Sequence, residues 1–229
     1  MLAAILLACV IPAFAGNITV QNSSFEDPTG LIQCGGGFGV GNCTFSAGAP
    51  TSWLSNSPST YAGTFQPGMV PNVAYNNLVG SPSIAFINGP GPAAGGLNPT
   101  TGGTFQQTVG TSILGTYTLT LDMGFRKDNT SFVSEADLIV GSNVIKALGS
   151  NPVQGGWSTF TATYTALTAG QAISIQLRNI GVNGGINGQA NFDNVSLNGP
   201  VGVPEPSTIA ITAMGLGMLG LRFRRKRSI

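Results

Sequence analysis

Between residues 16 and 202 the apolar and polar positions alternate with a period of two, and no stretch carries the 3.6-residue repeat of an amphipathic helix. Thr116–Phe125, Ser158–Tyr164 and Ala172–Leu177 each place their apolar side chains on one side of a pleat, which predicts half-buried strands. Shorter runs rich in Thr, Val, Ile and Phe predict further strands at Ile18–Val20, Thr60–Gln66, Ser83–Ile87, Gly103–Val109, Ala136–Val140, Asn143–Ala147 and Ala190–Leu197. Gly141-Ser142 sits between two such runs as a two-residue hairpin turn. The glycine-rich stretches 29–52 and 88–103 read as loops. About ten strands with no room for crossover helices require antiparallel pairing, and two packed sheets bury the apolar sides. The expected fold is therefore all-β, a two-sheet antiparallel sandwich. No internal repeat is present, which excludes a solenoid or propeller.

The two ends follow different rules. Residues 1–15 are an apolar run ending in Ala13-Phe14-Ala15, a site for signal peptidase, and predict a signal peptide with a mature start at Gly16. No basic residue precedes the run, which points to a start codon further upstream. Residues 203–229 divide into Val203-Pro204-Glu205-Pro206-Ser207, an uncharged segment 208–221 and a basic tail of Arg222, Arg224, Arg225, Lys226 and Arg227. As a helix that uncharged segment spans about 21 Å, a short transmembrane element whose basic flank stays on the cytoplasmic side. This order resembles the PEP-CTERM sorting signal of Gram-negative bacteria, a tail also labelled an ice-binding-protein C-terminal domain. The resemblance implies a transient stay in the inner membrane, cleavage by an exosortase near the Pro-Glu-Pro motif, and transfer to the cell surface or an exopolysaccharide matrix.

Charge changes the picture once the tail is set aside. The 229-residue chain has a formal charge of +1. Its body, however, carries Arg126, Lys127, Lys146 and Arg178 against Glu26, Asp27, Asp122, Asp128, Glu135, Asp137 and Asp193. A net-negative body without a basic patch excludes nucleic acid as a partner. The chain has no His, which excludes Ser/His/Asp and Cys/His triads and His-ligated zinc. Gly-x-Ser-x-Gly and Ser-x-x-Lys are absent too. No catalytic residue is assigned.

Cys34 and Cys43 flank a glycine-rich loop, and export to an oxidising compartment permits a disulfide between them, the alternative being two free thiols. Cys9 leaves with the signal peptide.

Asn22–Pro28 near the mature start and Asn191–Leu197 near the end of the body resemble the opening and closing strands of galactose-binding-like jelly rolls. The resemblance implies a jelly-roll topology over residues 17 to 199, neighbouring first and last strands, and a structural calcium held by an acid from each, here Glu26 and Asp193. The alternative is that both acids accept backbone hydrogen bonds at strand ends.

Two further chemistries are open to the body. Asp122, Asp128, Glu135 and Asp137 fall within sixteen positions, and two of them facing each other across a cleft would suit an extracellular glycosidase; otherwise they are solvated loop and edge charges. Trp53, Trp157, Tyr61, Tyr75 and Tyr164 have faces that stack on pyranose rings, with Tyr61 and Tyr75, in loop-like sequence, the foremost glycan contacts. The sequence thus points to an exported structural or glycan-binding sandwich rather than an enzyme. A glycosidase with paired carboxylates and a homophilic adhesin without a small ligand are the alternatives.

Overall fold

The computed structural model describes residues 14–33, 43–56, 62–67, 74–77, 82–89, 103–181 and 188–201. Residues 15–201 form one compact unit. Thirteen strands follow one another: β1 (Phe14–Ile18), β2 (Ile32–Gln33), β3 (Thr44–Ala47), β4 (Leu54–Ser55), β5 (Ala62–Gln66), β6 (Ile84–Asn88), β7 (Thr104–Thr111), β8 (Gly115–Gly124), β9 (Ser134–Val140), β10 (Asn143–Lys146), β11 (Trp157–Ala166), β12 (Ala172–Asn179) and β13 (Gln189–Val201). They build a larger sheet in the order β11-β8-β13-β6-β5-β3-β2, with β1 added to β13, and a smaller sheet in the order β10-β9-β12-β7-β4. Apart from β1, every neighbouring pair is antiparallel. This is the two-sheet antiparallel sandwich that the alternation implied, with the jelly-roll fold that the resemblance implied.

The alternation explains the layers. On β8, Tyr117, Leu119, Leu121 and Met123 are buried while Thr116, Thr118 and Thr120 point away. Facing them across the sandwich are Phe105, Ala136, Leu138, Val140, Ile173, Ile175 and Leu177 of the smaller sheet. A second apolar cluster lies on the other face of the larger sheet. Ala85 and Ile87 of β6 belong to the inner core, whereas Ile84 and Phe86 join Cys43, Phe65, Ala74 and Tyr75, with Phe45 and Trp157 at the margin. Both faces of the larger sheet are therefore partly dry, which sequence periodicity alone does not reveal.

Several strand boundaries differ from the sequence expectation. The hairpin β9–β10 has the predicted two-residue turn, with Asn143 opposite Val140 and Gly141 at φ 61°. The stretch 29–52, read as loop, contains β2 and β3; two- and four-residue strands are too short for a period of two to register. β4 adds two more residues just beyond it. β1 runs through the predicted signal-peptidase site after Ala15, and Ile18 on it packs against the core beside Gly199. The segment 208–221, the motif 203–207 and the tail 222–229 lie outside the described residues. Among the described residues no helix is long and apolar enough to cross a membrane.

Candidate functional site

Three polar clusters lie on or within the sandwich. The first joins its two ends. After β1 the chain turns at Asn22 (φ 46°) and Phe25 (φ 58°), left-handed conformations that are unusual for residues other than glycine. The buried Phe25 ring packs on Trp53, with centroids 5.5 Å apart, and Trp53 Nε1 donates to the Asn22 carbonyl. The Ser23 carbonyl in this turn accepts from Val195 N, 2.9 Å away, at a bulge where β13 loses register between Asp193 and Ser196. Opening and closing motifs are thus in contact.

Asp193 lies opposite Asp122 of β8 in this bulge and is 0% exposed. Its Oδ1 accepts from Asn194 N at 2.7 Å, and its Oδ2 has no hydrogen-bond partner. Burial pushes its pKa up to about 8; the Asn194 N–H opposes the shift, and the charges of Glu26 and Asp122 add to it. Glu26 is exposed and accepts from Ser83 N at 2.7 Å. Asp122 accepts from Thr159 Oγ1 at 2.6 Å and from Asn194 Nδ2 at 2.9 Å. Among the described residues no ion pair compensates the set. A buried carboxylate oxygen without a partner beside a second and third acid is the donor chemistry that a hard cation such as calcium completes. Still, no group of three or more His, Cys, Asp or Glu among the described residues is arranged to hold a metal ion, so backbone carbonyls and water would have to supply the rest of a calcium shell.

The second cluster sits on the smaller sheet. Glu135 and Asp137 share one face of β9; Arg178 of β12 lies opposite Glu135, and Lys146 of β10 lies opposite Asp137. Glu135 makes ion pairs with both Lys146 and Arg178, and Arg178 Nη2 lies 3.1 Å from Asp137 Oδ2. That last contact lacks hydrogen-bond geometry, leaving both Asp137 oxygens unbonded at 1% exposure. Burial raises the Asp137 pKa, Arg178 and Lys146 pull it back, and Glu135 adds to the rise. The four acids grouped by sequence are therefore divided among the larger sheet (Asp122), the loop after β8 (Asp128) and the smaller sheet (Glu135 and Asp137). Glu135 and Asp137 are buried and ion-paired, not solvated edge charges, because the long side chains of β10 and β12 close over them.

The third cluster lies on the outer face of the larger sheet. Tyr75 is 0% exposed and donates its hydroxyl to Asn191 Oδ1 at 2.6 Å, so it offers no face to a sugar at the surface; this corrects the expectation of an exposed platform. Its ring packs on Trp157 with centroids 4.9 Å apart. Gly124 makes this possible, since a Cβ there would meet the Tyr75 hydroxyl at 2.8 Å and the Trp157 ring at 2.9 Å. Asn191 Nδ2 donates to Gln189 Oε1 at 3.1 Å, which also accepts from Arg126 Nη1 at 2.8 Å. Arg126, 4% exposed, grips Asp128 with Nε and Nη2 and lies 5.4 Å from the Phe65 ring centre. Burial raises the Asp128 pKa, but the hydrogen bond and charge of Arg126 outweigh it and hold the carboxyl below its ordinary value. Burial holds the Tyr75 hydroxyl well above its ordinary value. Trp157 Nε1 is a buried donor without a partner. Sequence reading missed Asn191 and Gln189 as site residues; their signal is that two amides occupy alternate positions of an otherwise apolar strand start.

Tyr61 lies outside the described residues. Cys43 is disulfide-bonded; Cys34, its expected partner, also lies outside them.

The profile of the family described as HpiC1 cyclase matches residues 16–198. The chain belongs to the HpiC1-like family. The PEP-CTERM protein-sorting motif matches residues 202–227. Among solved structures, the Stig cyclase Fisc from Fischerella sp. TAU, in complex with (3Z)-3-(1-methyl-2-pyrrolidinylidene)-3H-indole, is 20% identical with a TM-score of 0.59, covering 82% of this chain and all of its own. A second Fischerella sp. TAU cyclase, in complex with 4-(1H-Indol-3-yl)butan-2-one, is 20% identical with a TM-score of 0.56 over 82% of this chain and 100% of that one. TmCBM61, in complex with beta-1,4-galactotriose, is 10% identical at a TM-score of 0.44 over 80% of this chain and 97% of its own. No curated protein sequence matches. At these identities the two cyclase structures establish a shared fold and not a shared activity. The family's description as a cyclase nonetheless stands against the expectation of a body that does no chemistry.

Proposed function

We propose that the protein is exported, released by an exosortase acting on Pro204-Glu205-Pro206, and retained at the surface or in the exopolysaccharide matrix as a glycan-binding component. Binding is assigned to the outer face of the larger sheet. The observation that carries this reading is the neutral heart of the third cluster, where Tyr75 and Asn191 are hydrogen-bonded to each other and buried. A cyclase that protonates its substrate needs an acid poised near the working pH. Among the described residues of this cluster, Tyr75 is held far above that range and Asp128 is held below it by Arg126. What this cluster offers is recognition chemistry, the acid held near the working range, Asp193, lying in the first cluster. The half-buried Trp157 supplies an aromatic face, while the partly exposed Asn88 and Gln189 form an amide rim, with Gln189 Nε2 donating to Asn88 Oδ1 at 2.9 Å. Stacking plus neutral hydrogen bonds suits an uncharged sugar.

The test is titration of tryptophan fluorescence with neutral oligosaccharides, wild type against Trp157→Ala; saturable quenching lost in the variant is expected. The cyclase reading, favoured by the family description, predicts instead that an indole such as 4-(1H-indol-3-yl)butan-2-one binds while the sugars do not. For the sorting half, alanines in place of Pro204-Glu205-Pro206 should trap an uncleaved inner-membrane protein, and normal release of that variant would overturn the assignment.

Calcium belongs to the same proposal as a structural ion. Glu26 and Asp193 would hold it, neutralising the unpartnered Asp193 Oδ2 and fastening the opening turn to the β13 bulge.

A further inference from the structure

One pole of the sandwich carries no charge. β13 ends there at Val201, and β8 starts beside it, since a Cβ added to Gly115 would meet Pro200 Cγ at 3.0 Å. The strand pairings put three turns at the same pole: β7 into β8, β11 into β12, and Gly141-Ser142 of the β9–β10 hairpin. The residues that build it, 108–121, 138–145, 147–177 and 194–201, include no Asp, Glu, Lys or Arg. Asp122, Lys146 and Arg178 lie toward the other ends of β8, β10 and β12, and Arg126, Lys127 and Asp128 follow in the loop after β8. Hydrogen bonds tie the turns together. Ser112 N donates to the Gln171 carbonyl at 2.7 Å, Gly170 N to the Ser112 carbonyl at 2.7 Å, and Ser112 Oγ to the Thr168 carbonyl at 2.9 Å. Tyr117 Oη accepts from Ile113 N at 2.8 Å and donates to the Ile113 carbonyl at 3.0 Å. Backbone groups satisfied within the protein cost little to bring out of water. Leu114 and Leu167, just beyond the Gly115–Ala166 pair that closes the β8–β11 ladder, are left at 59% and 83% exposure.

We propose that this pole docks on the bilayer surface while the chain is still held in the inner membrane, with Leu114 and Leu167 entering the headgroup layer. The proposal rests on the sorting reading, in which the segment 208–221 is the anchor. The seven steps along the chain from Val201 to Thr208 reach at most about 25 Å, so the end of the body from which β13 emerges is the end tethered close to the lipid. Charge points the same way. The body holds more acids than bases, an anionic bilayer repels it, and the uncharged end approaches at the least cost. Two leucines are too small a wedge to hold a free protein on a membrane, but a tether makes their insertion an intramolecular step. Docking would keep Pro204-Glu205-Pro206 near the headgroups for the exosortase and would lapse once the tail is cut.

The test reconstitutes the tail-bearing chain, after loss of its signal peptide, into vesicles of phosphatidylethanolamine and phosphatidylglycerol. An environment-sensitive dye is placed on Thr168→Cys at the pole or on Thr130→Cys in the loop after β8, both exposed positions. A quencher carried by the lipid should dim the dye at position 168 and spare the dye at position 130. Leu114→Ser combined with Leu167→Ser should abolish that difference and leave the thermal midpoint unchanged, because both side chains are already in water. Flotation of the same vesicles reads the anchor separately. A chain that floats while its two dyes are quenched alike would overturn the docking and leave the sorting reading standing, whereas a chain that does not float would overturn both. Quenching at position 168 that survives the two leucine substitutions would also overturn the proposal. So would a dye there that is shielded from aqueous iodide yet out of reach of the lipid quencher, since a protein segment would then cover the pole in place of lipid.

Discussion

The smaller sheet buries a pair of acids and the larger sheet buries one beside a half-buried and an exposed acid, and they solve the electrostatic problem in opposite ways. Around Glu135 and Asp137 the sequence provides its own counter-charges, Lys146 and Arg178, at cross-strand positions on both neighbouring strands. Around Asp193 the described residues provide none: the nearby ionisable groups, Glu26 and Asp122, carry the same sign. A buried carboxylate without a cation either keeps its proton or recruits an ion from solvent. The Glu135–Asp137 cluster is closed within the protein, whereas the Asp193 cluster is left open to a proton or a metal, and this difference is what experiments can break.

The largest effect should come from pH in metal-free protein. The Asp193 carboxyl has a folded pKa of about 8 against an unfolded value near 3.9, so the folded state holds a proton that the unfolded chain has released between those limits. That contribution is fully present below about pH 4 and is lost as pH rises through 8, on the order of 5 kcal/mol in total. Chemical denaturation in chelator at intervals from pH 5 to 9 should show stability falling with pH, and Asp193→Asn should flatten the fall. An unchanged slope in the variant would show that some other group carries the proton.

Next in size is the cost of opening the closed cluster. Arg178→Met leaves Glu135 and Asp137 side by side with only the half-exposed Lys146 to balance them. Breaking a fully buried pair costs about 3 to 5 kcal/mol, and the partial exposure of Arg178 reduces this to roughly 2 or 3. Lys146→Met should cost less than about 1 kcal/mol, because its head group is in water. Equal costs for the two would mean that Asp137 is not relying on Arg178.

Much of this layout was legible in the sequence, and the failures have physical reasons. The sandwich and the β9–β10 hairpin follow from period-two alternation and short turn signals, which are local, and the meeting of the Asn22–Pro28 and Asn191–Leu197 motifs follows from their resemblance to the opening and closing strands of jelly rolls. Cross-strand partners are not local. Asp122, Asp128, Glu135 and Asp137 look like one acidic cluster along the chain, but Asp122 lies on β8 of the larger sheet, Asp128 in the loop that follows it, and Glu135 and Asp137 on β9 of the smaller sheet. Tyr75 sits in loop-like sequence and is nonetheless fully buried, because Gly124 leaves a hollow in β8 that its ring and Trp157 fill. An absent side chain leaves no mark in a hydrophobicity pattern.

Calcium should separate the two acid clusters. Extracellular modules bind it at around 0.1 to 1 mM, so 10 mM calcium should add roughly 1.4 to 2.7 kcal/mol to the native state if Glu26 and Asp193 hold an ion. On a scale of about 2 to 4 °C per kcal/mol, thermal melts with calcium and with chelator should differ by several degrees. Asp193→Asn should lose the difference, while Arg178→Met should keep it. Identical melts for wild type in both conditions would leave Glu26 and Asp193 as hydrogen-bond acceptors only.

The smallest effect is expected where the cluster is neutral. Tyr75→Phe keeps the ring on Trp157 and removes only the hydroxyl that Asn191 Oδ1 accepts from, leaving a buried amide oxygen without that donor, a change worth about 1 kcal/mol. Burial holds the Tyr75 hydroxyl protonated well beyond the working range, with Arg126 opposing that shift and Asp128 reinforcing it. The cost of Tyr75→Phe should therefore be the same at pH 6 and pH 9, in contrast to the steep dependence at Asp193. Paired denaturation curves at the two pH values measure it directly. A cost that grows toward high pH would place an ionising group in contact with this hydroxyl, and with it the proton chemistry that the binding reading denies to the outer face of the larger sheet.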